Sequence, residues 1–100
     1  MRIAVDIDGV LTNEVEGWDY LKRTPNLINI DCINKLYNNH EIILFTARKI
    51  DDLQITIRWL SAYDIRYHHI VFDKLKYDVI IDDKSWSLKN IEDMIKYDKI

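Results

Sequence analysis

Asp6 and Asp8 stand two positions apart at the end of an apolar run, with Gly9 directly after them, in the stretch IAVDIDGVLT of residues 3–12. In extended backbone that spacing turns both side chains to the same side. Two unit charges about 4 Å apart repel by roughly 4 kcal/mol at an effective dielectric near 20, so ionised carboxylates clustered there need a neutralising partner. A hard divalent cation answers that need. Mg²⁺ suits it best, because it binds through few carboxylates, keeps several waters and shares a phosphate oxygen with its substrate. No Cys or His cluster accompanies the acids, which argues against zinc.

An aspartate beside such a cation can attack phosphorus and form an aspartyl phosphate. A second carboxyl next to it can protonate the leaving oxygen and then take a proton from the water that hydrolyses the intermediate. Gly9 lets the chain turn sharply and bring backbone N–H groups near a phosphate. Further along, Thr46 in FTAR can donate to a phosphoryl oxygen, and Lys74 can balance both nucleophile and phosphate. Lys76 shares the side of Lys74 by alternation, so both stand as candidates for the lysine. Asp82 and Asp83 close a last apolar run.

These residues meet only if strands deliver them. Residues 2–7, 41–46, 69–72 and 78–81 are short apolar runs rich in β-branched residues, the pattern of strands buried on both faces of a parallel sheet. Between them, Ile30, Ile33, Leu36 and Tyr37 predict a helix capped by Asn29, and Leu53, Ile57 and Leu60 predict another after the capping candidates Asp51 and Asp52. Leu88, Ile91 and Ile95 predict a third, entered from Ser85 or Ser87. This order predicts a small Rossmann-like α/β/α sandwich of three layers with a mainly parallel sheet, whose ligands bind beyond the carboxyl ends of the strands. Residues 9–26 hold both glycines and the proline and read as a loop or short hairpin above the sheet.

With 100 residues, the chain has room for one domain, expected over 1–100. Its 14 basic and 17 acidic residues give a net charge of -3, with the basic ones dispersed, so nucleic-acid binding gains no support. No apolar run approaches a membrane span and no leader precedes RIAVDI, which predicts a cytoplasmic protein. Cys32, the one cysteine, lies among apolar helical positions and reads as a small buried residue. His68 and His69 face opposite sides of a strand and cannot chelate one ion together. Trp59 and Trp86 read as packing residues.

Taken in order, DIDGVLT, FTAR, a lysine before the last strand and IIDD resemble the motifs of the haloacid dehalogenase superfamily of phosphohydrolases, over residues 3–84. The resemblance implies Asp6 as nucleophile and Asp8 as general acid/base. It implies Mg²⁺ held by Asp6, the backbone carbonyl of Asp8 and Asp83, with Asp82 behind the metal orienting Lys74. The stretch from RTPNLINID to IIDDK is also similar to small phosphatases of capsule and surface-polysaccharide biosynthesis, although Leu75 and Asp73 depart from their usual pattern. That likeness points to a sugar phosphate or related small phosphomonoester. No cap domain fits in the spacer of residues 13–41, so the crevice is expected to be open, for a large substrate or for a neighbouring copy to close in a homo-oligomer. Trp18, Tyr20, Arg23 and Arg48 are candidates for touching the leaving group, and Arg48, just past Thr46, can hold an anionic group.

Two other classes compete. A nucleotide or polynucleotide phosphatase would use the same residues on a different leaving group. A receiver-like signalling domain also combines acids, Thr and Lys around Mg²⁺, but opens with its acidic pair, whereas here an acidic pair closes the last strand.

Overall fold

Ile42 and Leu44, both fully buried, lie in the middle strand of a three-stranded parallel sheet. The computed structural model describes residues 1–13 and 19–85. The strands are β1 (Arg2–Val5), β2 (Glu41–Phe45) and β3 (His69–Val71), in the order β1-β2-β3. Their register runs from Arg2 opposite Glu41 to Val5 opposite Leu44, and from Ile43 opposite His69 to Phe45 opposite Val71. All three carboxyl ends therefore reach one edge, where Asp6, Thr46 and the segment after Val71 follow.

The crossovers are the helices α1 (Leu27–Tyr37) and α2 (Leu53–Ala62). Two right-handed crossovers stepping in the same direction place both helices on one face of the sheet. Burial follows that geometry: Val5, Ile42 and Leu44 join Ile30, Ile33, Leu36, Trp59 and Leu60 in one core, while the alternate positions Ala4, Phe45, His69 and Val71 are exposed. Each fully buried aliphatic side chain contributes about 1.5–3 kcal/mol relative to exposure, so this face holds the sheet and helices together. The described residues supply the sheet and this one helical layer; the expected third helix falls in residues 86–100, outside the described residues. Trp86 lies there too. Among the described residues no helix is long and apolar enough to cross a membrane.

The cap of helix α1 lies three residues before the expected one. Asn26 is the N-cap, its Oδ1 accepting from the Asn29 N–H at 3.1 Å, and Asn29 instead donates its side-chain amide to the Val10 carbonyl at 2.8 Å. Leu27 and Ile28 are 67% and 66% exposed, so the buried periodicity starts only after the first turn and misdates the helix. Asp52 occupies the N-cap of α2 without a side-chain capping bond, after a 3₁₀ turn over Ile50–Asp52. Its charge and that of Asp51 still suit the positive end of the helix dipole.

Residues 78–81, expected as a fourth strand, are not one. Val79 and Ile81 are 77% and 98% exposed, and no ladder partner flanks them among the described residues. An apolar, β-branched run supplies strand preference, but a strand also needs a neighbour for its N–H and C=O groups. After Val71 the chain instead turns over the sheet edge. Asp73 takes φ 60°, its N–H donates to the Arg48 carbonyl at 2.8 Å, and the Lys74 N–H donates to the Thr46 carbonyl at 2.9 Å.

The loop reading of residues 9–26 holds where it is described. Thr12 and Pro25 form an antiparallel bridge, with Asn13 donating to the Thr24 carbonyl and Asn26 to the Leu11 carbonyl, each at 2.8 Å. Tyr20–Lys22 form a 3₁₀ turn capped by Asp19.

Candidate active site

Strand β1 stops at Val5 because the next residues spend their hydrogen bonds on a turn. The Ile7 carbonyl accepts from the N–H groups of Leu11 and Thr12 at 2.8 and 3.1 Å, and the Ile7 N–H donates to Asp6 Oδ1 at 2.8 Å. Gly9 takes φ +87°, the left-handed region that side chains resist, and its N–H donates to the Thr12 hydroxyl at 3.0 Å. Gly9 thus shapes the turn as expected, but its own amide is spent within the loop and not aimed at a phosphate.

Lys74 Nζ lies 3.3 Å from Asp6 Oδ2, with the lysine side chain 11% exposed and the aspartate 40%. The Lys74 backbone bond to Thr46 anchors that approach, and the ammonium also sits 5.2 and 5.5 Å from the rings of Phe45 and Tyr77. Lys76, the alternative, is exposed and forms no ion pair among the described residues. Thr46 is buried, and its Oγ accepts from the Arg48 N–H at 3.1 Å. With an acceptor role filled by the backbone, its hydroxyl proton is left to donate.

Arg48 does something its position did not announce. Its side chain is 1% exposed and forks onto Asp8, with Nε donating to Oδ2 at 2.9 Å and Nη2 to Oδ1 at 2.7 Å. Nη1 donates to the hydroxyl of Thr56 on α2 at 3.1 Å, and the Tyr20 ring covers the guanidinium at 3.9 Å. Arg23 approaches the same carboxylate, Nε to Oδ1 3.8 Å, while its carbonyl accepts from the buried Trp59 indole at 2.9 Å. Arg48, expected to hold substrate, is occupied with Asp8, and Tyr20 and Arg23 contact this cluster too. Trp18 lies outside the described residues.

The expected reason for needing a metal therefore changes. Lys74 answers Asp6, and Arg48 and Arg23 answer Asp8, so three protein cations stand within 4.0 Å of the two carboxylates. Counting strand-end acids alone overlooked cations that arrive from the hairpin and from the start of the second crossover.

Asp82 and Asp83 are not brought to this cluster. Among the described residues no three His, Cys, Asp or Glu side chains gather as a metal site, and Asp82 Oδ1 accepts locally from the Lys84 N–H at 2.8 Å. The cause is the same as for residues 78–81: a segment outside the sheet does not deliver its end to the sheet edge. His68 Nδ1 accepts from the Ile42 N–H at 3.0 Å and its ring stacks on Tyr37, whereas His69 Nε2 lies 3.1 Å from Glu41.

Thr56 is the residue that sequence reasoning missed. A fully buried hydroxyl three residues after Leu53 and four before Leu60, on a stripe otherwise apolar, requires a hydrogen-bond partner, and that requirement was its signal.

The whole chain is similar in fold to a crystal structure of an MCSG target from Vibrio cholerae, with TM-score 0.77 and 25% identity over 97% of this chain and 98% of that one. The likeness carries the small Rossmann-like α/β fold. No family model and no curated protein matches the chain.

Proposed function

We propose that this chain is a phosphomonoesterase of the haloacid dehalogenase type, working through a phosphoaspartate on Asp6. The observation that carries the reading is the Asp6–Lys74 pair at the carboxyl edge of the sheet, with the more open carboxylate at 40% exposure and its lysine nearly buried. Asp6 attacks phosphorus as the bond to the leaving oxygen breaks, and Asp8 supplies the proton that oxygen takes. Asp8 then accepts a proton from the water that cleaves the acyl phosphate, releasing phosphate and restoring the Asp6 carboxylate. Lys74 and the Thr46 hydroxyl stabilise charge on the phosphoryl oxygens.

Mg²⁺ belongs to this reading through donor chemistry. Asp6 and Asp8 offer hard oxygens, and Asp6, answered by one lysine, retains lone pairs for a cation. Asp6 and the Asp8 carbonyl would hold it; the resemblance adds Asp83, which does not stand with them among the described residues. When bound, the ion neutralises phosphate charge as the anionic ester approaches an anionic nucleophile.

The substrate proposed is a sugar phosphate or another small phosphomonoester. Purified protein incubated with Mg²⁺ and a panel of sugar phosphates, nucleotides and 3′-phosphorylated oligonucleotides tests it. Release of phosphate from the first group is expected. Turnover confined to nucleotides or oligonucleotides would reassign the substrate, and folded protein that hydrolyses none of them would remove the activity.

A further inference from the structure

We propose that Thr56 is a positioning residue for this reaction, acting on Asp8 through Arg48; the proposal rests on the phosphomonoesterase reading above. Thr56 does not touch Asp8. Its hydroxyl, fully buried on α2, accepts from Arg48 Nη1 at 3.1 Å, and the other two nitrogens of the same rigid guanidinium engage both oxygens of Asp8 at 2.9 and 2.7 Å.

Geometry makes this a relay and not a coincidence of packing. A guanidinium is planar, so fixing the direction of one N–H fixes the directions of the others. Bidentate contact then fixes the plane of the carboxylate it grips. The Tyr20 ring, 3.9 Å from the guanidinium, blocks tilting on one side. The Thr46 hydroxyl, accepting from the Arg48 N–H at 3.1 Å, fixes the backbone from which the side chain departs. Thr56 supplies the remaining constraint. Without its oxygen, Nη1 is a donor in a side chain only 1% exposed, and the guanidinium must rotate to find another acceptor.

Rotation would carry Asp8 with it. Proton transfer to the leaving oxygen requires a carboxyl oxygen within hydrogen-bond reach, and a displacement of about 1 Å can cost roughly 100-fold in rate. The loss falls on one kind of substrate. An alkyl leaving group needs the proton, while a nitrophenolate leaves without one.

Thr56→Val keeps the side-chain shape and removes the acceptor; Thr56→Ser keeps the acceptor. The measured quantity is kcat/KM, which ends with the first irreversible step and so excludes hydrolysis of the acyl phosphate. In Thr56→Val, kcat/KM for an alkyl phosphate such as glycerol phosphate falls about 10-fold or more, while that for p-nitrophenyl phosphate stays within about 2-fold. Thr56→Ser restores the alkyl value. An equal loss on both substrates, or no loss on either, in a Thr56→Val protein with wild-type far-ultraviolet circular dichroism would overturn the proposal. Wild-type protein inactive on every ester would instead remove the phosphomonoesterase reading, and the ¹⁵N resonance of Arg48 Nε–H then decides the relay. It is expected to shift in Thr56→Val and return in Thr56→Ser, and an unchanged resonance in Thr56→Val would overturn the relay.

Discussion

Arg48 leaves the loop after β2 and closes on both oxygens of Asp8, which follows β1, at 2.9 and 2.7 Å. That fork ties two strand ends across the sheet edge. The arginine side chain is 1% exposed and the aspartate 23%, so the pair is largely withdrawn from water. Removing one member leaves the other charge short of its partner, although Arg23 stands 3.8 Å away to soften the loss at Asp8. The consequences are measurable as stability and as turnover.

Arg48→Ala is expected to destabilise the fold by about 2–4 kcal/mol, chiefly through the stranded Asp8. Asp8→Asn in the same chain should recover part of that loss, because the uncompensated charge is gone. Urea unfolding of the two single variants and the double variant checks this. Strictly additive effects would mean that the two side chains are not coupled.

Lys74 and Lys76 differ in what they reach. Lys74→Ala is expected to lower turnover by about 100-fold or more, since its ammonium faces the nucleophile, while Lys76→Ala stays within about 2-fold. Steady-state kinetics on the best substrate from the phosphate screen makes the comparison. The reverse ranking would move the catalytic lysine to Lys76.

Glu41 links three strands on the face of the sheet away from α1 and α2, through Arg2 Nε at 3.2 Å and His69 Nε2 at 3.1 Å. The hydrogen bond from Arg2 is the main reason its carboxyl is held below the ordinary value of 4.5. A lowered folded pKa gives stability that is fully present above the unfolded pKa and is lost as pH falls through the folded one. Thermal unfolding of Glu41→Gln should therefore lie below wild type at neutral pH, with the gap narrowing and closing as pH drops well below 4.5. A gap unchanged across that range would show that the Glu41 charge contributes nothing.

The donor oxygens of the site predict its metal response. Chelator-treated protein should lose turnover and regain it with Mg²⁺, and Zn²⁺ should not substitute well for a hard, water-rich site. Activity that survives exhaustive chelation would mean that Lys74, Arg48 and Arg23 suffice for the phosphate.

Much of the frame was legible because local pattern and tertiary demand agree there. The runs around Val5, Ile42 and Ile70 are β-branched and become adjacent parallel strands, so Asp6, Asp8, Thr46, Arg48 and Lys74 reach one edge together. Residues 78–81 have the same local pattern and no ladder partner among the described residues, which composition cannot report. Asn26 escaped notice as a cap because the exposed Leu27 and Ile28 hide the first turn of α1. The polar cluster built around Asp8 was illegible for a different reason. Arg23, Arg48 and Thr56 come from three separate stretches, and only the closed hairpin and α2 bring their polar atoms together.

Phosphoryl transfer to Asp6 is the central claim, and trapping the intermediate tests it most directly. Wild-type protein quenched in acid during turnover of a hydrolysed ester should carry a phosphoryl group on the peptide containing Asp6, and Asp6→Asn should show neither the adduct nor phosphate release. Turnover at the wild-type rate in Asp6→Asn, or an adduct on another residue, would contradict the account.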